Sequence, residues 1–152
     1  MPVRDYNGDG DWSVDGVLRP KVHTEGPILW VYPIMDAVID GIKENDLACI
    51  ELGIDFICES KSFPFGMTLK SRAARALRKA TLTQHQCDRI RSRVALMLLE
   101  GYIPQEYRFY SRLLRRTGLG THREALLAVV PRGHRMAKYV EYVHLLAVES
   151  VA

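Results

Sequence analysis

The fold is decided first by the stretch TQHQCDRIRSRVALMLLEG, residues 83–101, which carries both a start signal and a stop signal for a helix. Thr83 followed by Gln86 is a capping-box pattern, in which each side chain bonds the backbone N–H of the other residue. Gly101 ends the pattern, because glycine accepts the left-handed conformation common just after a helix. Its apolar side chains recur at helical spacing and predict one buried face: Cys87, Ile90, Val94, Met97 and Leu98. The stretch therefore predicts a central helix.

Helical spacing continues on both sides of this stretch. Pro33 is suited to the first position of a helix, where its missing N–H costs nothing. Thr121 followed by Glu124 repeats the capping-box pattern for a later helix. The predicted helices other than 83–101 run from Pro33 to about 45 and over about 46–59, 67–80, 104–116, 121–130 and 133–150. The sequence predicts a mainly α protein.

Short loops of mostly two to seven residues join these helices, which favours antiparallel neighbours. We expect six to seven antiparallel helices, arranged either as an orthogonal bundle or as a short array of helical hairpins. The hairpins recur every 34 to 37 residues or so, which resembles HEAT and TPR arrays in period alone. No residue signature supports either repeat family.

Residues 1–32 have a different pattern. Asp15-Gly16 is a turn dipeptide between two short apolar segments, and Pro20 and Pro27 interrupt regular structure. We expect a short N-terminal β-hairpin or an extended arm over 1–32, followed by a single helical domain over 33–152. A chain of 152 residues suffices for one such domain without help from a metal or disulfides.

Charge is unevenly divided along the chain. Residues 1–66 hold 5 Lys and Arg against 12 Asp and Glu, while residues 67–116 hold 12 against 3. Residues 117–152 are close to neutral, with 4 against 3. This division predicts an anion-binding surface in the middle of the chain, and 10 of its 12 cations are arginines, which favours bidentate recognition of carboxylates or phosphates.

Helical phase arranges these charges into stripes. The first two helices each carry an acidic ridge at i, i+4, i+8 spacing, formed by Asp36, Asp40 and Glu44 and by Glu51, Asp55 and Glu59. The basic side chains form stripes on helices 67–80 and 104–116: Arg72, Arg75, Arg78, Arg108, Arg112, Arg115 and Arg116. Three interpretations follow. The ridges and stripes pair internally, they are ordinary solvated faces, or the stripes bind an anionic macromolecule.

We expect a non-enzymatic interaction module, with an adaptor or regulatory role, whose arginine-rich helical face binds an acidic protein partner. A nucleic-acid-binding protein using the same face is the alternative, supported by interleaved aromatics: Tyr102, Tyr107, Phe109 and Tyr110. Self-association through complementary acidic and basic ridges is also possible. The protein is not expected to be an enzyme, and an enzyme without a recognisable local motif is the third hypothesis.

One segment has metal-ligand spacing. Residues 5–15 resemble the first half of an EF-hand or dockerin-type calcium loop, with candidate ligands Asp5, Asn7, Asp9 and Asp11. Gly16 stands where the resemblance requires a bidentate acid, so calcium binding is only a weak alternative. The five histidines and three cysteines are scattered, and we expect no other metal site and no cofactor.

The N terminus is polar and acidic, with no apolar segment typical of a signal peptide. The longest apolar runs are far shorter than the roughly 20 residues of a membrane span. We expect a cytoplasmic protein that does not interact with membranes.

Overall fold

The structure, a computed structural model, describes residues 13–14, 17–18, 28–59 and 66–150, with side chains in 34–59 and 66–150. These residues are mainly helical, as predicted, and include seven α-helices. The elements are β1 (Ser13–Val14), β2 (Val17–Leu18), α1 (Ile28–Lys43), α2 (Leu47–Cys58), α3 (Gly66–Leu77), α4 (Gln84–Glu100), α5 (Tyr107–Thr117), α6 (Arg123–Ala128) and α7 (His134–Glu149).

The two short strands pair antiparallel, with Ser13 opposite Leu18 and Val14 opposite Val17. Asp15-Gly16 and the rest of the predicted arm before α1, apart from these two strands, lie outside the described residues. The hairpin or extended arm therefore stays a prediction.

Helix α4 has both of its predicted ends. The Thr83 hydroxyl accepts a hydrogen bond from the Gln86 N–H at 3.1 Å, and the Gln86 side chain accepts one from the Thr83 N–H at 2.9 Å. Gly101 follows the helix with a φ of 77°, and its N–H bonds the carbonyl of Leu98. These bonds confirm the capping box and the glycine stop. Both could be predicted from the sequence because each acts within one helical turn.

Two other predicted helix starts are wrong. Helix α1 begins at Ile28, five residues before Pro33, because the apolar segment before the proline continues the helix. The capping box predicted at Thr121 does not form, since a 3₁₀ turn over Gly120–His122 leads directly into α6. The N-cap of α6 is His122, which has a helical backbone and makes no side-chain capping bond.

The chain divides into two compact units, one ending at Thr81 and the other beginning at Leu82. The single helical domain predicted for 33–152 stays a prediction. In the first unit α1 packs against α2 and α3, and α2 also packs against α3. Glycine permits the close approach of α1 and α2, because a Cβ atom on Gly41 would lie 2.2 Å from the Sγ atom of Cys49.

In the second unit α4 packs against α5, α6 and α7. Its core is lined by fully buried side chains from every helix of the unit: Ile90, Val94, Leu98, Tyr107, Leu113, Leu126 and Val143. Helices α5 and α7 also contact each other, which brings their exposed faces side by side.

Candidate interaction surface

Helix α5 exposes the arginine stripe that the sequence predicts. Its four arginines are exposed: Arg108, Arg112, Arg115 and Arg116. The apolar side of the same helix is buried, as expected from its spacing: Tyr107, Tyr110, Leu113 and Leu114. The predicted orientation of α5 is confirmed, and the role of the arginines in binding stays a prediction.

Helix α7 brings further cations to the same place. Arg135 and Lys138 lie on its first two turns, one turn before Tyr139 and directly before it in the sequence. The Nζ atom of Lys138 is 5.3 Å from the centroid of the Tyr139 ring, within the range of a cation–π contact. We call the cations near Tyr139 on both helices the basic cluster: Arg108, Arg112, Arg135 and Lys138.

The arginines of both helices influence the titration of Tyr139. Burial raises the pKa of Tyr139, whose side chain is only 6% exposed. The positive charges of Arg135, Arg108 and Arg112 oppose that rise, because a nearby cation favours the ionised phenol. The arginines of α5 and of α7 therefore lie close enough to the same buried phenol to influence its pKa.

Aromatic packing holds α5 against α7 beneath the basic cluster. The rings of Tyr107 and Tyr139 meet edge to face, with centroids 4.8 Å apart. The Tyr107 hydroxyl donates a hydrogen bond to the carbonyl oxygen of Val94 at 2.9 Å. Burial, with a smaller contribution from Tyr139, raises the pKa of Tyr107, so this hydroxyl stays protonated and acts as a donor. These contacts fix the spacing of the two helices that carry the cations.

No member of the basic cluster forms an ion pair with a carboxylate of the described residues. The guanidinium group of Arg108 instead lies 4.5 Å from the centroid of the Phe109 ring. Four cations thus share one patch, within the described part of the chain, without an anion to neutralise them.

The end of the α5 stripe differs from the basic cluster. Arg115 donates to both carboxylate oxygens of Glu149, at 3.0 and 3.2 Å. The two side chains are 65% and 56% exposed, so this pair contributes less than about 1 kcal/mol. Arg115 lies beside the basic cluster but is partly neutralised.

The predicted stripe on α3 has a different environment. Arg72 forms an ion pair with Asp36 of α1, the first member of an acidic ridge. Arg75 and Arg78 are exposed. Lys70 is buried, donates to the carbonyl of Glu59 at the end of α2, and lies 5.6 Å from the centroid of the Phe56 ring. On α3, two cations therefore hold the first unit together.

Two other arginines of the second unit bind backbone carbonyls at the C-terminal ends of helices. Arg91 donates to the carbonyls of Thr117 and Gly118 just at the end of α5. Arg123 donates to the carbonyl of Ala147 in the last turn of α7. Each binds carbonyl oxygens at the C-terminal end of a helix, where a positive charge interacts favourably with the helix dipole. These cations serve the fold and do not add to the basic cluster.

Among the residues whose side chains are described, no three His, Cys, Asp or Glu side chains are grouped to hold a metal ion. The calcium-loop candidates Asp5, Asn7, Asp9 and Asp11 lie outside the described residues. No helix in the described part of the chain is both long enough and apolar enough to span a membrane.

Comparison of the chain with protein-family models, with curated proteins and with solved structures finds no match.

Proposed function

We propose that the protein is a non-enzymatic interaction module, with an adaptor or regulatory role, whose basic cluster binds an acidic segment of a protein partner. The observation that carries the proposal is the contact of α5 with α7, which brings the exposed cations Arg108, Arg112, Arg135 and Lys138 near the same tyrosine, Tyr139. No carboxylate of the described residues neutralises them. The expected bundle or hairpin-array arrangement and the cytoplasmic location belong to this proposal.

The cluster suits carboxylates on physical grounds. Like charges on neighbouring turns repel each other, and a partner that carries carboxylates relieves that repulsion on binding. Arginine presents parallel N–H groups that match the two oxygens of a carboxylate. The packing of Tyr107 against Tyr139 holds the two helices in place before binding. Little backbone conformational entropy is therefore lost when a partner binds.

Nucleic acid is the less favoured partner because the aromatic side chains needed for stacking are mostly covered. Tyr107 is fully buried and Tyr110 is 2% exposed, so neither can stack on a base. Tyr102 remains exposed, while Phe109 is half-buried with Arg108 over its ring. The arginines on their own still suit phosphates, which makes nucleic acid the alternative outcome of the test below.

The test measures the affinity of the full chain for a fluorescent polyglutamate peptide at several salt concentrations. Binding should weaken strongly between about 0.1 M and about 1 M NaCl, because the Debye length falls from about 10 Å to about 3 Å. Replacing Arg108 and Arg112 by glutamate should weaken binding by a factor on the order of ten or more at low salt. The matched control reverses two exposed lysines of the first unit, Lys43→Glu with Lys79→Glu, and should retain most of the affinity.

Equal losses in the two double variants would show that net charge, and not the basic cluster, drives binding. No measurable binding of polyglutamate at low salt would exclude the proposed function. Tight binding of single-stranded or duplex DNA with little affinity for polyglutamate would favour the nucleic-acid alternative. For a duplex, log K should then fall by about 0.9 per neutralised phosphate for each tenfold rise in salt.

A further inference from the structure

The cations of the basic cluster on α5 continue along the helix to an arginine that already holds a carboxylate. Arg108, Arg112 and Arg115, which we call the α5 row, follow each other at i, i+4 and i+7 and lie within an arc of about 60° on one side of the helix. Among the described residues, Arg108 and Arg112 form no ion pair with a carboxylate. Arg115 donates to both carboxylate oxygens of Glu149. A carboxylate of the protein itself therefore occupies the last position of the α5 row.

The fold presents Glu149 at this end of the row. Glu149 follows Lys138 by eleven residues, about three turns, so both project from the same side of α7 to within about 20°. Arg123 fixes the end of the helix, because its guanidinium group donates to the Ala147 carbonyl at 3.2 Å and to the Ser150 hydroxyl at 2.9 Å. Those two contacts flank Glu149 in the sequence, so the backbone that carries this carboxylate is held in place.

The Arg115–Glu149 pair can exchange for another carboxylate at little cost. Both side chains are more than half exposed, and exposed ion pairs are weak because water solvates the two groups when they separate. The paired N–H contacts are also those that a glutamate of a partner would make with the same guanidinium group. A segment bound to Arg112 carries its next carboxylates about one helical turn from Arg115, where they compete directly with Glu149.

We infer that Glu149 is an internal competitor of the acidic partner: it occupies Arg115 in the unbound protein, and a carboxylate of the partner segment replaces it there on binding. This inference rests on the proposed function and adds Arg115 to the binding site. The exchange replaces one ion pair by another, so Arg115 adds little affinity while Glu149 keeps its charge. Removing that charge leaves the whole α5 row to the partner and strengthens binding.

The test measures the affinity of the full chain for the fluorescent polyglutamate peptide by fluorescence anisotropy at about 0.1 M NaCl. Glu149→Gln keeps the size of the side chain but removes the competing charge. It should raise the affinity about two- to fivefold, the factor that corresponds to one exposed ion pair. The matched control is Glu100→Gln, which removes the same charge from another exposed glutamate of the second unit and should raise the affinity less.

A double variant shows whether the gain depends on Arg115. In a chain that already carries Arg115→Gln, the further change Glu149→Gln should raise the affinity no more than Glu100→Gln does in the same background. The reason is that the arginine for which Glu149 competes is gone. A gain of equal size with and without Arg115 would show that Glu149 acts through the overall charge of the surface, and the inference would be overturned.

The outcomes separate the inference from the proposed function. If the native chain binds polyglutamate and Glu149→Gln gains no more than Glu100→Gln, the inference fails while the proposed function stands. If neither the native chain nor Glu149→Gln binds polyglutamate at low salt, the proposed function fails and the inference fails with it. Thermal melting of each variant checks that the fold is retained, since the replaced side chains lie on the surface.

Discussion

Helices α3 and α5 carry similar arginine stripes, yet their arginines lie in opposite electrical environments. On α3, Arg72 meets the carboxylate of Asp36 on the neighbouring helix α1. On α5, Arg108 and Arg112 instead lie near two more cations, Arg135 and Lys138 of α7, and near the buried Tyr139. The charge on the packed neighbour therefore decides whether a basic stripe pairs within the fold or stays open to a partner.

The same contrast appears in the titrating groups of the two units. In the first unit, burial and then the charge of Asp46 raise the pKa of the Cys49 thiol to about 12. In the second unit, burial raises the pKa of Tyr139 while three arginines oppose the rise. For an acidic group such as a thiol or a phenol, nearby negative charges add to the rise in pKa that burial causes, and nearby positive charges oppose it.

The largest effect is expected from the aromatic contact that joins α5 to α7. Replacing Tyr107 by alanine removes a fully buried ring together with its hydrogen bond to Val94, and should lower the free energy of unfolding by about 3–5 kcal/mol. Urea denaturation measures the change. Tyr102→Ala is the control, because Tyr102 is 47% exposed, and its change should stay within about 0.5 kcal/mol. A loss below about 1 kcal/mol for Tyr107→Ala would mean that this contact does not hold α5 in place.

The next effect is a pH dependence in the first unit. The folded state keeps the Cys49 thiol protonated, with its pKa raised from 9.0 to about 12. Above pH 9 the unfolded chain releases this proton and the folded chain does not, so stability falls as pH rises. Between pH 9 and pH 10 the free energy of unfolding should fall by about 1 kcal/mol more in the native sequence than in Cys49→Ala. Identical pH profiles of the two proteins would contradict the raised pKa.

An effect of similar size is expected from the ion pair between α1 and α3. The Asp36 side chain is 13% exposed and that of Arg72 is 33% exposed, so their coupling should be about 1 kcal/mol. A double-mutant cycle with Asp36→Asn and Arg72→Gln measures it. The exposed Glu44 provides a reference, because Glu44→Gln paired with Arg72→Gln should show coupling near zero. Equal coupling in both cycles would show that Arg72 senses the general acidity of α1 and not Asp36.

Local signals predicted the parts of the fold that depend on a few adjacent residues. Thr83, Gln86 and Gly101 define α4 because a capping box and a glycine stop each act within one turn. The same pattern failed at Thr121, where the preceding residues continue into a 3₁₀ turn and leave no place for the cap. The start of α1 differs from the prediction because Pro33, although suited to a first helical position, lies inside the helix.

Of the candidate site, the sequence predicts the cations of α5 but not those of α7. The stripe on α5 follows from spacing within one helix, and its exposure agrees with that prediction. Arg135 and Lys138 were missed because residues 117–152 are almost neutral overall and give no charge signal. Their importance comes from the packing of α7 against α5, as the pairing of Arg72 comes from the packing of α3 against α1. A single sequence does not reveal which helices are neighbours.

The central claim is that the arginines of α5 bind a partner while Arg72 of α3 stabilises the fold. It is tested most directly by removing two charges from each helix and measuring both polyglutamate affinity and the free energy of unfolding. Arg108→Gln with Arg112→Gln should weaken binding by a factor on the order of ten with stability nearly unchanged. Arg72→Gln with Arg78→Gln should lower stability by about 1 kcal/mol with binding nearly unchanged. The opposite assignment, or equal loss of binding in both proteins, would contradict the account.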